Sequence, residues 1–177
     1  IHILWINLVT DSLPALALSV DPADPDIMKR KPINSHQSIM NKSFTLRIIL
    51  QGLMIGGLSL AAFQIGYHTE GLSEEMRVAT AQTMTFAVLA FSQITHVLNV
   101  RSNLHSAFRN MFTNRFLWGA LAIVALLMLI VIEIPSLHEI FHLAPLDATH
   151  WLWVVGLSLA PLQIVELVKG IARLIKK

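Results

Sequence analysis

The chain has 177 residues, 54% hydrophobic and 14% charged, with a mean hydropathy of +0.62. Soluble domains carry about 25% charged residues, so composition excludes a soluble globule and a disordered chain, and a net charge of +2 is too small to point to nucleic acid as a partner. With no cysteine, disulfide scaffolds, Cys-ligated zinc and thiol catalysis drop out, which leaves an integral membrane protein.

The chain opens with Ile1-His2-Ile3-Leu4-Trp5, apolar and without Met or a basic leader. This is no signal peptide. It reads as a cut made inside or just before a helix, with earlier spans expected in a longer protein. A spanning helix needs roughly 20 apolar residues, range about 17–25, and five stretches are expected to meet that need. They are 1–20, interrupted by Asp11; 44–67, with Arg47 near one end; 78–100; 116–134, uncharged until Glu133; and 151–172, with Glu166 and Lys169 near its end. Backbone groups in lipid must be satisfied within the segment, which favours helices over barrel strands. The expected fold is therefore all-α: a polytopic membrane helix bundle of five spans, one transmembrane domain over 1–177.

If the loop 21–43 is cytoplasmic, then Lys29, Arg30, Lys31, Lys42, Arg47, Arg101, Arg109, Arg115, Lys169, Arg173, Lys176 and Lys177 all lie on the inner side, 12 of the 13 Lys and Arg; only Arg77 falls outside. The positive-inside rule then sets the first helix running inward and the C-terminus in the cytoplasm. Trp151 and Trp153 suit the outer interface of the last span. The Asn41-Lys42-Ser43 sequon falls on the inner side, away from glycosylation.

Asp11 is the outlier. A carboxylate in mid-span costs about 2.5–3.5 kcal/mol, so it is expected to face protein or water. At about 100° per residue, Asn7, Thr10 and Asp11 share one arc of an α-helix. Their amide, hydroxyl and carboxylate oxygens are the ligands that hard cations such as Ca²⁺ prefer. Pro14 has no N–H, so it leaves the carbonyl of Thr10 free as a further oxygen; interrupted helices of this kind line ion sites in transporters. The competing reading is a polar patch that joins helices. Three side chains fall short of the 6–8 oxygens of a Ca²⁺ shell, so further ligands must come from elsewhere.

Leu4-Trp5-Ile6-Asn7-Leu8-Val9-Thr10-Asp11-Ser12-Leu13-Pro14-Ala15, followed by Asp24-Pro25-Asp26-Ile27-Met28, resembles the sixth transmembrane helix and next cytoplasmic loop of calcium-transporting P-type ATPases. Leu146-Asp147-Ala148-Thr149-His150-Trp151-Leu152 resembles the start of the tenth helix and Ile171-Ala172-Arg173 its end. The resemblance covers the whole chain. It implies helices six to ten of such a pump, with Ca²⁺ as the transported ion and with ATP and Mg²⁺ acting only through domains outside this chain; those domains, the other transmembrane helices and the lipid bilayer would be its partners, and the cell membrane its location. It implies Ca²⁺ ligation by Asn7, Thr10 and Asp11. Sodium–potassium pumps tend to have Asp where Asn7 stands, which favours calcium, although oxygen ligands alone leave Na⁺ and Mn²⁺ open. Ser12 replaces a Gly common in the family, which should make the helix break less permissive.

Gln93 is a further candidate ligand. It stands where two-site reticulum pumps have Glu and where plasma-membrane calcium pumps have Gln, which implies one Ca²⁺ per cycle; the alternative is a hydrogen bond to a neighbouring helix. The resemblance also implies that the loop with Asp21, Asp24 and Asp26 touches a cytoplasmic phosphorylation domain; a solvated acidic turn is the other reading.

Two alternatives come from different classes. His138-Glu139-Ile140-Phe141-His142 matches the H-E-x-x-H of zinc proteases, with Glu133, Asp147 or His150 as third ligand, although a chain with eight His readily produces the pattern by chance. The chain could also be a purely structural bundle. Gly52 and Gly56, with Gly57, form a G-x-x-x-G expected to support a close contact within the bundle. Glu166 and Lys169 are expected to form an interfacial ion pair, and His96 to be a polar packing residue. No P-loop pattern and no Asp-Lys-Thr-Gly phosphorylation motif occur, so this stretch by itself should not turn over ATP.

Overall fold

Four long helices begin where a side-chain oxygen can accept a free amide of the first turn. In the computed structural model the described residues are 1–22, 28, 41–101 and 112–175, the side chains of Ser43, Ala172, Arg173 and Ile175 excepted. Among these residues every regular element is helical: α1 (His2–Ile6), a π-helical turn (Asn7–Asp11), α2 (Ser12–Ser19), α3 (Lys42–Tyr67), α4 (Glu74–Val100), α5 (Arg115–Glu133), α6 (Pro135–Phe141) and α7 (Ala148–Ile175). Asn41 accepts from the amide of Phe44 at 2.8 Å, Ser73 from Met76 at 3.3 Å, Asn114 from Leu117 at 2.9 Å and Asp147 from His150 at 2.8 Å. Asn41 of the sequon is thus a helix cap.

Among the described residues, four helices are long and apolar enough to cross a membrane: Phe44–Tyr67, Glu74–Val100, Arg115–Glu133 and Ala148–Ile171. They coincide with the last four expected spans. The first expected span, 1–20, is not one regular helix but three consecutive pieces of 5, 5 and 8 residues. Most of the loop 21–43, including Asp24, Asp26, Lys29, Arg30 and Lys31, lies outside the described residues, as do Arg109, Lys176 and Lys177.

The core forms around α4. Over its most apolar window 56% of α4 is buried, against 11% for α3 and 22% for α7, so α4 is the hub and α3 and α7 are its flanks. α4 packs on α3, α5, α7 and the π turn. One core cluster joins Ile6, Met84, Phe86, Val88, Met128 and Val154; a second joins Val9, Ala17, Ile94, Leu117, Val124 and Leu162. The first segment therefore contributes side chains to both.

The close helix contact falls elsewhere than the G-x-x-x-G suggests. A Cβ at Gly52, Gly56 or Gly57 would meet nothing within 4 Å, whereas one at Gly66 would stand 2.7 Å from Ala81 Cα. α3 and α4 thus approach most closely near their connecting turn, where Gly71 takes φ +81°, a conformation costly for residues with a Cβ. The expected contact at Gly52 and Gly56 is not made among the described residues.

Pro161 is buried inside α7 and cannot donate to the carbonyl four residues before it. Side chains of α4 bond the carbonyls around this break: Thr95 Oγ1 donates to Ser158 O at 2.6 Å and Asn99 Nδ2 to Pro161 O at 3.1 Å. Such cross-helix bonds make an interior proline tolerable in an apolar setting. The Glu166–Lys169 pair forms at 3.2 Å, but both side chains are largely buried and Lys169 Nζ also donates to Asn99 O at 3.2 Å. The pair is therefore docked on the end of α4, where a cation suits the helix dipole. His96 lies 3.4 Å from Asn99 Nδ2, in keeping with a packing role.

Candidate cation site

Asn7, Thr10 and Asp11 lie in the π turn. Two local causes favour a departure from α geometry there. Thr10 Oγ1 donates to the carbonyl of Ile6 at 2.8 Å, an i−4 back-bond that competes with the helix ladder. Downstream, the buried ring of Pro14 removes one donor and crowds the carbonyl of Thr10. π turns inside α-helices recur at functional sites.

The π turn also changes which side chains share a face. Its bonds run from i to i+5, so each residue advances by less than the α-helical angle. Asn7 and Asp11, four apart, stay nearly in line, while Thr10 is carried further round. Accordingly Asn7 and Asp11 are exposed and Thr10 is buried. The arc expected for all three is thus divided in the folded chain between an exposed pair and a buried hydroxyl.

Thr10 faces α4, where its Oγ1 lies 2.5 Å from Gln93 Oε1. One hydroxyl proton serves one of its two acceptors at a time, and its lone pairs stay available to a third group. The structure thus brings Thr10 and Gln93 together and sets Asn7 and Asp11 on a face that no described residue covers. Ser12 takes ordinary helical angles, φ −66° and ψ −54°, so the break does not need a glycine there.

His138 and His142 are not paired on one helix face. α6 ends at Phe141, and His142 takes the left-handed conformation, φ 48°. His138 Nε2 lies 2.7 Å from the carbonyl of Ile132. The proposed third ligands are engaged too: Glu133 accepts from Trp151 Nε1 at 2.8 Å, and Asp147 lies 2.9 Å from His150 Nδ1. No group of three or more His, Asp or Glu able to hold a metal occurs among the described residues. The geometry gives the zinc-protease reading no support.

Sequence reasoning missed the junction of Asp21, Arg101 and Asn114. Arg101 Nε lies 3.0 and 2.8 Å from the two carboxylate oxygens of Asp21. Asp21 is thus turned into the bundle and is not part of a solvated acidic turn. The available signal was topological: the first and third expected spans end on the same side, which puts Asp21 and Arg101 at one level.

Residues 1–171 match the family model described as cation transporting ATPase, C-terminus. Calcium-transporting ATPase 1 of Bacillus cereus is 41% identical over 96% of the chain and 20% of its own length. The calcium-transporting ATPase of Bacillus subtilis is 40% identical over 91% of the chain and 18% of its own length, and the human calcium-transporting ATPase type 2C member 1 is 29% identical over 97% and 18%. The chain therefore spans about a fifth of the length of these relatives. A helical chain matched over nearly its whole length belongs to the C-terminal family of cation-transporting ATPases.

Proposed function

We propose that the chain is the C-terminal membrane part of an ATP-driven calcium pump, a single transmembrane domain of five spans with a cytoplasmic C-terminus, placed in the cell membrane. The calcium reading draws on its similarity to calcium-transporting ATPases. The first segment completes the five spans, with Thr10 of its polar turn held by Gln93 and the exposed Asn7 and Asp11 left for other helices of the intact pump to cover.

In this reading Asn7 and Asp11 supply an amide oxygen and a carboxylate to Ca²⁺, and Thr10 supplies a hydroxyl oxygen whose proton is held by Gln93 or Ile6. The observation that carries the proposal is the π turn, which sets Asn7 and Asp11 nearly in line on an uncovered face and turns Thr10 onto Gln93. The remaining oxygens of the shell come from other helices of the intact pump and from water. Gln93 is neutral, so it cannot offset a second dication, and one Ca²⁺ moves per cycle. ATP and Mg²⁺ act in domains outside this chain, and the resulting motion opens the site to alternate sides of the membrane.

The test is Ca²⁺ transport by the intact pump. Asp11→Asn keeps the side-chain volume and removes the charge. It should abolish ATP-driven Ca²⁺ uptake into vesicles while the protein still inserts and accumulates. Wild-type uptake in Asp11→Asn would refute the assignment.

A further inference from the structure

α2, α4 and α5 meet at one end of the bundle, and a polar cluster centred on the buried Asn114 fills the junction. Arg101 closes α4 and pairs with Asp21, which lies just beyond α2; their side chains are only 10% and 18% exposed. Arg101 Nη2 also donates to Thr113 Oγ1 at 2.6 Å. Asn114, itself buried, donates from Nδ2 to Asp21 Oδ1 at 2.9 Å and to the carbonyl of Ala17 at 2.9 Å. Its Oδ1 caps α5. Ala17 lies in the last turn of α2, whose carbonyls have no partner within the helix, so Asn114 ties the end of α2 to the start of α5.

The first segment is thereby held to α4 at two levels. Thr10 meets Gln93, and eleven residues later Asp21 meets Arg101, eight residues beyond Gln93 on the same α4. At about 1.5 Å per residue, the lower attachment lies about 15 Å from the candidate ligands. Two attachments fix both the height and the rotation of a helix; one fixes neither. Both partners of the ion pair are desolvated, which is tolerable because each makes further hydrogen bonds. Removing one partner would strand the other.

We infer that Asp21, Arg101 and Asn114 are positioning residues for cation binding: they hold α2 in the register on α4 that sets Thr10 against Gln93 and so fixes the place of the adjacent Asp11. This rests on the reading of Asn7, Thr10 and Asp11 as cation ligands.

The test uses the full-length pump and the Ca²⁺ dependence of its ATPase activity, with Arg101→Ala and Asn114→Asp measured beside Asp11→Asn. Asn114→Asp keeps the cap oxygen of α5 but loses both donations and repels Asp21, so it probes the register where Arg101→Ala fails to accumulate. The expected result is a rise of about tenfold in half-saturating Ca²⁺, with the maximal rate changed less than about twofold. The exchange Asp21→Arg with Arg101→Asp should recover part of the shift. An unchanged half-saturating Ca²⁺ in both variants, with binding still lost in Asp11→Asn, would overturn the inference and leave the ligand assignment standing. A fall in maximal rate without an affinity shift would also overturn it. Intact Ca²⁺ activation in Asp11→Asn would remove the underlying assignment itself.

Discussion

Thr10 stands between two acceptors, the carbonyl of its own helix and the amide oxygen of Gln93 on α4. A hydroxyl so placed both loosens its helix and ties it to a neighbour. Thr10→Val keeps the shape and removes the one proton that the two acceptors share. It should raise half-saturating Ca²⁺ by about three- to tenfold in the full-length protein, corresponding to one hydrogen bond of about 0.5–1.5 kcal/mol; Ca²⁺-activated ATPase activity reads it. Gly66 gives a different prediction, one of stability. A methyl group there would press on the backbone of Ala81, so Gly66→Ala should destabilise by about 1–3 kcal/mol in thermal unfolding in detergent, while Gly56→Ala should have little effect. At this scale the sequence singled out the chemically unusual residues, Asn7, Thr10, Asp11 and Gln93. It did not reveal which of them touch. Periodicity assumes an ideal helix, and the π turn breaks that assumption at the very residues in question. Nor did it identify the glycine at the close contact, because G-x-x-x-G records spacing and not what lies opposite.

Among the elements, the first segment differs from the others. α3, α4, α5 and α7 are long, capped by Asn or Ser or Asp, and were readable as spans from apolar length alone. The first segment has the same apolar length but is broken in three, since Pro14 and Thr10 disfavour a continuous ladder. Pro14→Ala restores the missing donor. It should straighten the segment and raise half-saturating Ca²⁺ without impairing insertion into the membrane, which a Ca²⁺ titration of ATPase activity beside a membrane fractionation would show. α6 is a short helix that begins at Pro135 and ends at Phe141, before the second histidine of the motif. Glu139→Gln should leave Ca²⁺ transport unaltered and purified protein should be free of zinc; stoichiometric zinc would revive the protease reading. The ends of α2, α4 and α5 were not legible as a unit. Their cluster joins residues 21, 101 and 114, and no local pattern links positions so far apart.

At the scale of the whole molecule, α4 is a central post with α3 and α7 on its flanks, and much of α3 remains uncovered. Large exposed apolar side chains such as Leu50, Leu53 and Leu60 on α3 are what lipid or further helices of a longer protein would cover. The five-span orientation makes a separate prediction. In the intact protein stripped of other cysteines, a cysteine at Gly71 should react with a membrane-impermeant maleimide added to whole cells. One at Lys177 should react only after permeabilisation. The reverse pattern would invert the topology derived from the Lys and Arg distribution. That distribution and the apolar lengths are global properties of the chain, which is why they were legible, whereas the packing of α4 against α3, α5, α7 and the π turn depends on side-chain fit.

The central claim is a single calcium site built on the π turn, with neutral Gln93 beside it. The most direct measurement is the stoichiometry of Ca²⁺ binding to the intact pump at equilibrium, wild type beside Asp11→Asn. About one ion per chain is expected in the wild type and none in the variant at the same free Ca²⁺. Two ions per wild-type chain, or undiminished binding in Asp11→Asn, would contradict it.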